Sequence, residues 1–250
     1  MESWDRMNIL VTNDDGYKSR GLLCLRNVLS EKHNVFVMAP DSNRSAVSHC
    51  INMAKPLDLV KMEENFYTCS GFPADCVING TVSGIFPKID LIISGINCGA
   101  NIGTDIVYSG TCAAARQGAL YGIPSVAVSL KHMKGFEARE EEYNFDVMAD
   151  FIMKNLEDIY KTASSRKHIF VNMNGISCDG YKGMKKVTEI SVRDYGDQIK
   201  LEKSDKGFKS NFIMGKSKTY GGESSDYSIT VDGYVSVAVI SAMPVCLEHI

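Results

Sequence analysis

Four stretches of this chain are apolar at almost every position, and they constrain its fold more than any other feature: Asn8-Ile-Leu-Val-Thr12, Val35-Phe-Val-Met-Ala39, Ile89-Asp-Leu-Ile-Ile-Ser94 and Ser125-Val-Ala-Val-Ser129. A strand with one wet face alternates apolar and polar residues. An unbroken run needs cover on both faces, which a parallel sheet flanked by helices provides. The segments between the runs have the matching character. Gly21 to Lys32 places Leu22, Leu25, Val28 and Leu29 on one helical face, and Ala74 to Val82 and the Ala-rich Thr111 to Tyr121 read as further helices. Phe145 to Tyr160 predicts a single amphipathic helix burying Met148, Phe151, Ile152 and Leu156, and His168-Ile-Phe-Val-Asn172 follows as a strand. Strand, helix and strand in repeated order make βαβ units. The expected fold class is α/β, a Rossmann-like three-layer sandwich with a mostly parallel sheet.

After about residue 176 the character changes. Gly, Lys and Ser become frequent, Lys186-Val-Thr-Glu-Ile-Ser-Val192 reads as a strand, and Tyr234 to Ser241 alternates like one. The expected organisation is therefore a catalytic core over 7–175 and a β-rich extension over 176–250, packing back on the core and serving as an oligomerisation arm. The net charge of −3 argues against a nucleic-acid polymer or an anionic membrane as partner. No apolar run approaches the roughly 20 residues that span a bilayer. Met1-Glu-Ser-Trp-Asp-Arg6 lacks the apolar core of a signal peptide, so the expected location is the cytoplasm. The eight cysteines are scattered with no C-x-x-C pair, which speaks against zinc and for a reducing compartment.

Chemistry concentrates where strands end. Asn13-Asp-Asp-Gly16 stops the first run. Were the strand to continue, Asp14 and Asp15 would point to opposite faces, whereas a turn at Gly16 lets both carboxylates face the crevice. Adjacent desolvated anions repel unless one is protonated or a cation lies between them. An Asp-rich turn capping the next helix is the plain alternative, but ligands in doubly wound folds bind beyond the carboxyl ends of strands. The loop after the second run carries Asp41, Arg44, Ser45 and His49 and reads equally as a ligand loop or a polar connection. After the third run, Ser94-Gly-Ile-Asn97-Cys-Gly99-Ala-Asn101-Ile-Gly103 suits a backbone that bends sharply beside a ligand. Tyr108-Ser109-Gly110-Thr111 then opens a helix, an anion site as well as an N-cap. These donors are hard oxygens, which favour Mg²⁺ or Mn²⁺ and suit phosphate-ester chemistry. The G-x-G-x-x-G fingerprint of a dinucleotide oxidoreductase is missing.

Together, Ile9-Leu-Val-Thr-Asn-Asp-Asp-Gly16, Ala39-Pro-Asp41 with Arg44, Ser45 and His49, Gly71-Phe-Pro-Ala-Asp75-Cys76, Ser94-Gly-Ile-Asn97 with Gly99 and Asn101, and Tyr108-Ser-Gly-Thr111-Cys-Ala-Ala114 resemble the signatures of the stationary-phase survival protein SurE family. The resemblance runs from Asn8 to about Ser129 and resumes at Asp226-Tyr227 and Gly233-Tyr-Val-Ser236. It implies a metal-dependent phosphomonoesterase acting on nucleoside 5′-monophosphates, with 3′-monophosphates and short polyphosphate as further family substrates. It implies one divalent ion per subunit, Mg or Mn, on Asp14, Asp15, Ser45 and Asn97. Asn97, Asn101, Ser109, Gly110 and Thr111 would contact the substrate phosphate, and Asp14, Asp15, Asn101, Ser109 and Thr111 would carry catalysis. A homodimer or homotetramer, built by exchange of the C-terminal extension, is implied as well. Cys50 and Phe72 depart from the usual Ser and Thr, and the six residues before Met7 read as an extension. The competing reading is a non-catalytic nucleotide- or metal-binding sensor that uses the same loops.

Overall fold

The computed structural model describes residues 6–135, 138–213 and 215–246. The extension read at Met1 to Arg6 lies, but for Arg6, outside the described residues. The chain opens with β1 (Asn8–Thr12), α1 (Arg20–Ser30), β2 (Asn34–Pro40), β3 (Leu59–Glu63), β4 (Phe66–Cys69), α2 (Pro73–Val82) and β5 (Leu91–Cys98). It continues with α3 (Asp105–Tyr108), α4 (Gly110–Leu120), β6 (Ser125–Lys131), α5 (Phe145–Lys154), α6 (Leu156–Ala163) and β7 (Ile169–Ile176). β8 (Met184–Lys186), β9 (Val192–Asp194), β10 (Gln198–Ser204), β11 (Gly207–Ile213), β12 (Lys218–Tyr220), α7 (Asp226–Val231) and β13 (Val235–Ser241) complete it.

The nine-stranded sheet runs β3-β4-β2-β1-β5-β6-β7-β13-β8. The interior, from β4 to β7, is parallel throughout. β13 pairs antiparallel with β7, so the C-terminal region supplies strands to the main sheet, while β10 and β11 form a separate hairpin. The apolar runs follow from the pleat. Ile9 and Val11 of β1 and Leu91 and Ile93 of β5 pack against Leu22, Leu25 and Leu29 of α1 and Phe145, Met148 and Ile152 of α5. Leu10 and Ile92, one step along, face the other way into Cys76 and Val77 of α2 and Ala114 of α4. Neighbouring residues thus feed two different cores, each fully buried aliphatic contributing about 1.5–3 kcal/mol. Helix α4 is rich in Ala because it lies close on the sheet: a Cβ at Gly118 would come within 2.3 Å of Ser125 Oγ.

Two expected elements differ. The helix read over Phe145 to Tyr160 breaks at Asn155, whose side-chain amide donates to the Phe151 carbonyl at 2.8 Å in competition with the helical backbone. Phe151, expected in the core, is half-buried. Of the strand read over Lys186 to Val192 only the two ends are strand, Lys186 closing β8 and Val192 opening β9; between them the chain leaves the sheet, and Ser191 turns inward to donate both its N–H and its hydroxyl to Asp226.

Candidate active site

The carboxyl ends of β1, β2 and β5 meet the N-terminus of α4. Thr12 of β1 stands opposite Ser94 of β5, so Asp14 and Asp15 emerge beside the turn that follows β5. The chain folds back sharply here because Asn13 accepts a hydrogen bond from Gly16 N–H at 3.2 Å and Gly16 adopts a φ of 102°. The two carboxylates then part company. Asp14 is buried and accepts from the Thr111 hydroxyl at 2.5 Å and the Thr111 N–H at 3.1 Å. Asp15 accepts from Cys98 N–H at 3.0 Å, next to Asn97.

Helix α4 is shaped to receive Asp14. Ser109 caps it by accepting from Cys112 N–H at 3.0 Å. Gly110 is required by space: a Cβ there would lie 2.8 Å from Asp14 Cβ. The N–H groups and dipole of the helix end therefore point at a carboxylate. Burial still pushes the Asp14 pKa up, against the hydrogen bonds from Thr111 that pull it down. Burial, then the charge of Asp14, pushes Asp15 up to about 7. Among the described residues neither carboxylate has a salt-bridge partner.

The loop carrying Ser45 is tied to the same place. Arg44 N–H donates to the Asp14 carbonyl at 2.7 Å, and Arg44 reaches Asp41 at 3.1 Å and the Ser70 carbonyl at 3.3 Å. Ser45 is exposed. His49 lies further back, its Nε2 2.9 Å from Gln117 Oε1 of α4, where it braces the loop. Asn97 commits its side-chain nitrogen to the Gly99 carbonyl at 2.8 Å, leaving its amide oxygen for a ligand.

Asn101 and Thr111 are less open than their motif positions suggest. Asn101 is buried, its amide donating to Ser129 Oγ at 2.7 Å and its backbone N–H to Asn174 Oδ1 at 2.8 Å. Asn172 and Asn174 donate in turn to the Asn101 carbonyl, at 2.8 and 3.1 Å. This frame was not drawn from the sequence, though its signal was there: two asparagines at alternate positions of an apolar strand share one face. Asp226 belongs to the resembling tail motif, but its contact with this loop was not drawn from the sequence. It accepts from Gly103 N–H at 2.7 Å and from Ser191, binding the C-terminal region to the loop that carries Asn101. Asp75, in the first turn of α2, fixes the 71–75 turn by accepting from Phe72 N–H at 2.9 Å and from Asn52 N–H at 3.0 Å.

A Rossmann-like α/β protein with a carboxylate pair at the carboxyl edge of its sheet, facing a helix N-terminus, is the class that fold and site define. The family model described as "Survival protein SurE" matches residues 9–197. The chain belongs to the SurE family. It is 40% identical over 241 residues to the 5′-nucleotidase SurE of Thermosipho melanesiensis, covering 94% of this chain and 91% of that protein. It is 35% identical over 239 residues to the 5′-nucleotidase SurE of Leptospira interrogans, covering 94% and 92%. The crystal structure of the SurE protein from Aquifex aeolicus superposes with a TM-score of 0.78 at 32% identity, covering 95% of this chain and 94% of that one.

Proposed function

We propose that this chain is a divalent-metal-dependent 5′-nucleotidase, hydrolysing nucleoside 5′-monophosphates to nucleoside and phosphate. The observation that carries the reading is the pair of consecutive carboxylates at the end of β1, Asp14 buried against the start of α4 and Asp15 turned to Cys98 N–H, neither with a salt-bridge partner among the described residues. Such a pair is stable as two anions only beside a cation. Asp14, Asp15, Ser45 and the Asn97 amide oxygen form the donor set, all hard oxygens and so suited to Mg²⁺ or Mn²⁺, with one ion per subunit. Bound there, a divalent ion supplies Lewis acidity to a phosphate oxygen and to the attacking water.

The chain's own residues do the rest. Asp14, steadied by Thr111, orients the water and takes its proton. Ser109 and Gly110, beside Asp14, face the phosphate oxygens, Asn97 borders them, and Asn101 fixes the loop beside them. Water adds to phosphorus as the ester oxygen leaves, so one water and one monoester give one alcohol and one phosphate. The 3′-monophosphates and short polyphosphate present the same terminal phosphoryl group and rank as secondary substrates.

Residues 7–175 serve as the catalytic core in this reading, and 176–250 both complete its sheet and reach outward. The β10–β11 hairpin places Ile199 opposite Phe212 and Lys203 opposite Phe208 in register, with Ile199, Leu201, Phe208 and Phe212 all exposed on one side. An apolar face of this kind supports a homodimer or homotetramer in which the hairpin meets another copy. Among the described residues no helix is long and apolar enough to cross a membrane, and the cytoplasm is the proposed location.

The test is phosphate release from a panel of nucleoside 5′- and 3′-monophosphates with Mg²⁺, Mn²⁺ or EDTA. Metal-dependent release ranks the substrates and supports the reading. Folded protein that binds nucleotide yet releases nothing would establish the sensor alternative instead.

A further inference from the structure

An exposed aromatic ring stands at the rim of the site with no part in the chemistry above. Tyr108 ends α3, immediately before the Ser109 cap of α4, and is 55% exposed. Its backbone is fixed from the side of the Ser45 loop: Ser48 donates its N–H to the Tyr108 carbonyl at 2.9 Å and its hydroxyl to the Val107 carbonyl at 2.6 Å. Its ring is fixed from the C-terminal region. Tyr195 meets it at a centroid distance of 6.3 Å and an interplanar angle of 77°. Tyr195 is itself held, its hydroxyl donating to Asp105 and accepting from the Thr104 hydroxyl, while Arg193 ion-pairs with Asp105 and lies 5.7 Å from the Tyr195 ring centroid. An edge-to-face contact of this kind leaves a face of Tyr108 open.

A large ring kept exposed, yet braced on two sides, is suited to receiving another ring. The neighbouring groups, Ser109 and Gly110, face the phosphate in the nucleotidase reading, and a nucleotide carries its base one ribose away from that phosphate. We propose that Tyr108 is the stacking platform for the nucleobase, and that Tyr195 is the residue that positions it. The proposal rests on the nucleotidase reading and adds where the base is recognised. Stacking needs only a π-face, so every base is accepted, and purines, with the larger face, are preferred to pyrimidines.

The experiment measures kcat and KM for adenosine 5′-monophosphate and for ribose 5-phosphate, which has the phosphate and sugar without the base. The proteins are wild type, Tyr108→Ala, Tyr108→Phe and Tyr195→Ala, each first shown to be folded by its thermal transition. In Tyr108→Ala the ratio of kcat/KM for the nucleotide to that for the sugar phosphate falls about tenfold, through KM. Tyr108→Phe restores the ratio, and Tyr195→Ala lowers it part of the way. A ratio the same in Tyr108→Ala as in wild type overturns the proposal, even if both esters react more slowly. If wild-type protein releases phosphate from neither ester, the nucleotidase reading fails as well, and the wild-type measurement alone separates that outcome from a failure of stacking.

Discussion

Asp14 is the residue on which the site turns, and its surroundings are built to a tolerance of one methyl group. Glycine at 110 lets the first turn of α4 close on the carboxylate, since a Cβ would lie 2.9 Å from Asp14 Oδ2. Gly110→Ala should therefore displace the carboxylate and lower kcat at least about tenfold, given that misplacements of about 1 Å cost up to about a hundredfold. Steady-state phosphate release checks this, and turnover within twofold of wild type would count against it. A second residue-scale expectation concerns His33, which sits far from the site. Burial, then the nearby charges of Lys32 and Arg6, lowers its pKa below the ordinary value of 6.5. As pH falls below 6.5 the unfolded chain takes up a proton that the folded chain refuses, so stability drops until the lowered folded pKa is passed. Thermal transitions followed from pH 7.5 to 5 should show a steeper decline in wild type than in His33→Asn; equal slopes would remove His33 from the account. The carboxylate pair was legible in the sequence because strand end, turn and acids are consecutive. The contact of Asp14 with Thr111 was not, since it joins residues 97 positions apart.

At the scale of elements, unbroken apolar runs disclosed the parallel strands because burial on both faces leaves no other pattern. The edges of the sheet were harder to read. Leu59–Glu63 mixes apolar with polar residues, as an exposed edge strand does, and Phe66–Cys69, its inner neighbour, is only four residues long; both escaped notice. At Asn155 and Ser191 predicted elements give way to side-chain hydrogen bonds that hydrophobic periodicity does not register. Asp226 shows the energetic side of such bonds. It is fully buried and satisfies three backbone N–H groups, those of Gly103, Ser191 and Tyr227, besides the Ser191 hydroxyl. Asp226→Ala leaves several buried donors unpaired and should cost about 3 kcal/mol. For a chain of this length that is a fall in Tm of about 6–12 °C. Calorimetry tests it, and a fall of less than about 2 °C would mean that the C-terminal region is joined to the site loop by other contacts.

For the whole molecule, the C-terminal region has two faces. Its β8 and β13 are strands of the main sheet, whereas its hairpin offers apolar side chains to solvent. Leu201→Lys combined with Phe212→Lys should shift the protein toward a smaller species in multi-angle light scattering while its thermal transition is retained. An unchanged mass would rule out the hairpin as the contact between copies. The central claim, however, concerns the edge where the sheet, α4 and the Ser45 loop converge, and it is tested most directly by one titration. Protein stripped with EDTA is supplied with increasing Mn²⁺, and phosphate release from a nucleoside 5′-monophosphate is followed for wild type beside Asp14→Asn. The account predicts release that is absent without metal, saturates in wild type and is lower by about a hundredfold or more in the mutant. Release that persists in EDTA, or a mutant that matches wild type, would contradict it.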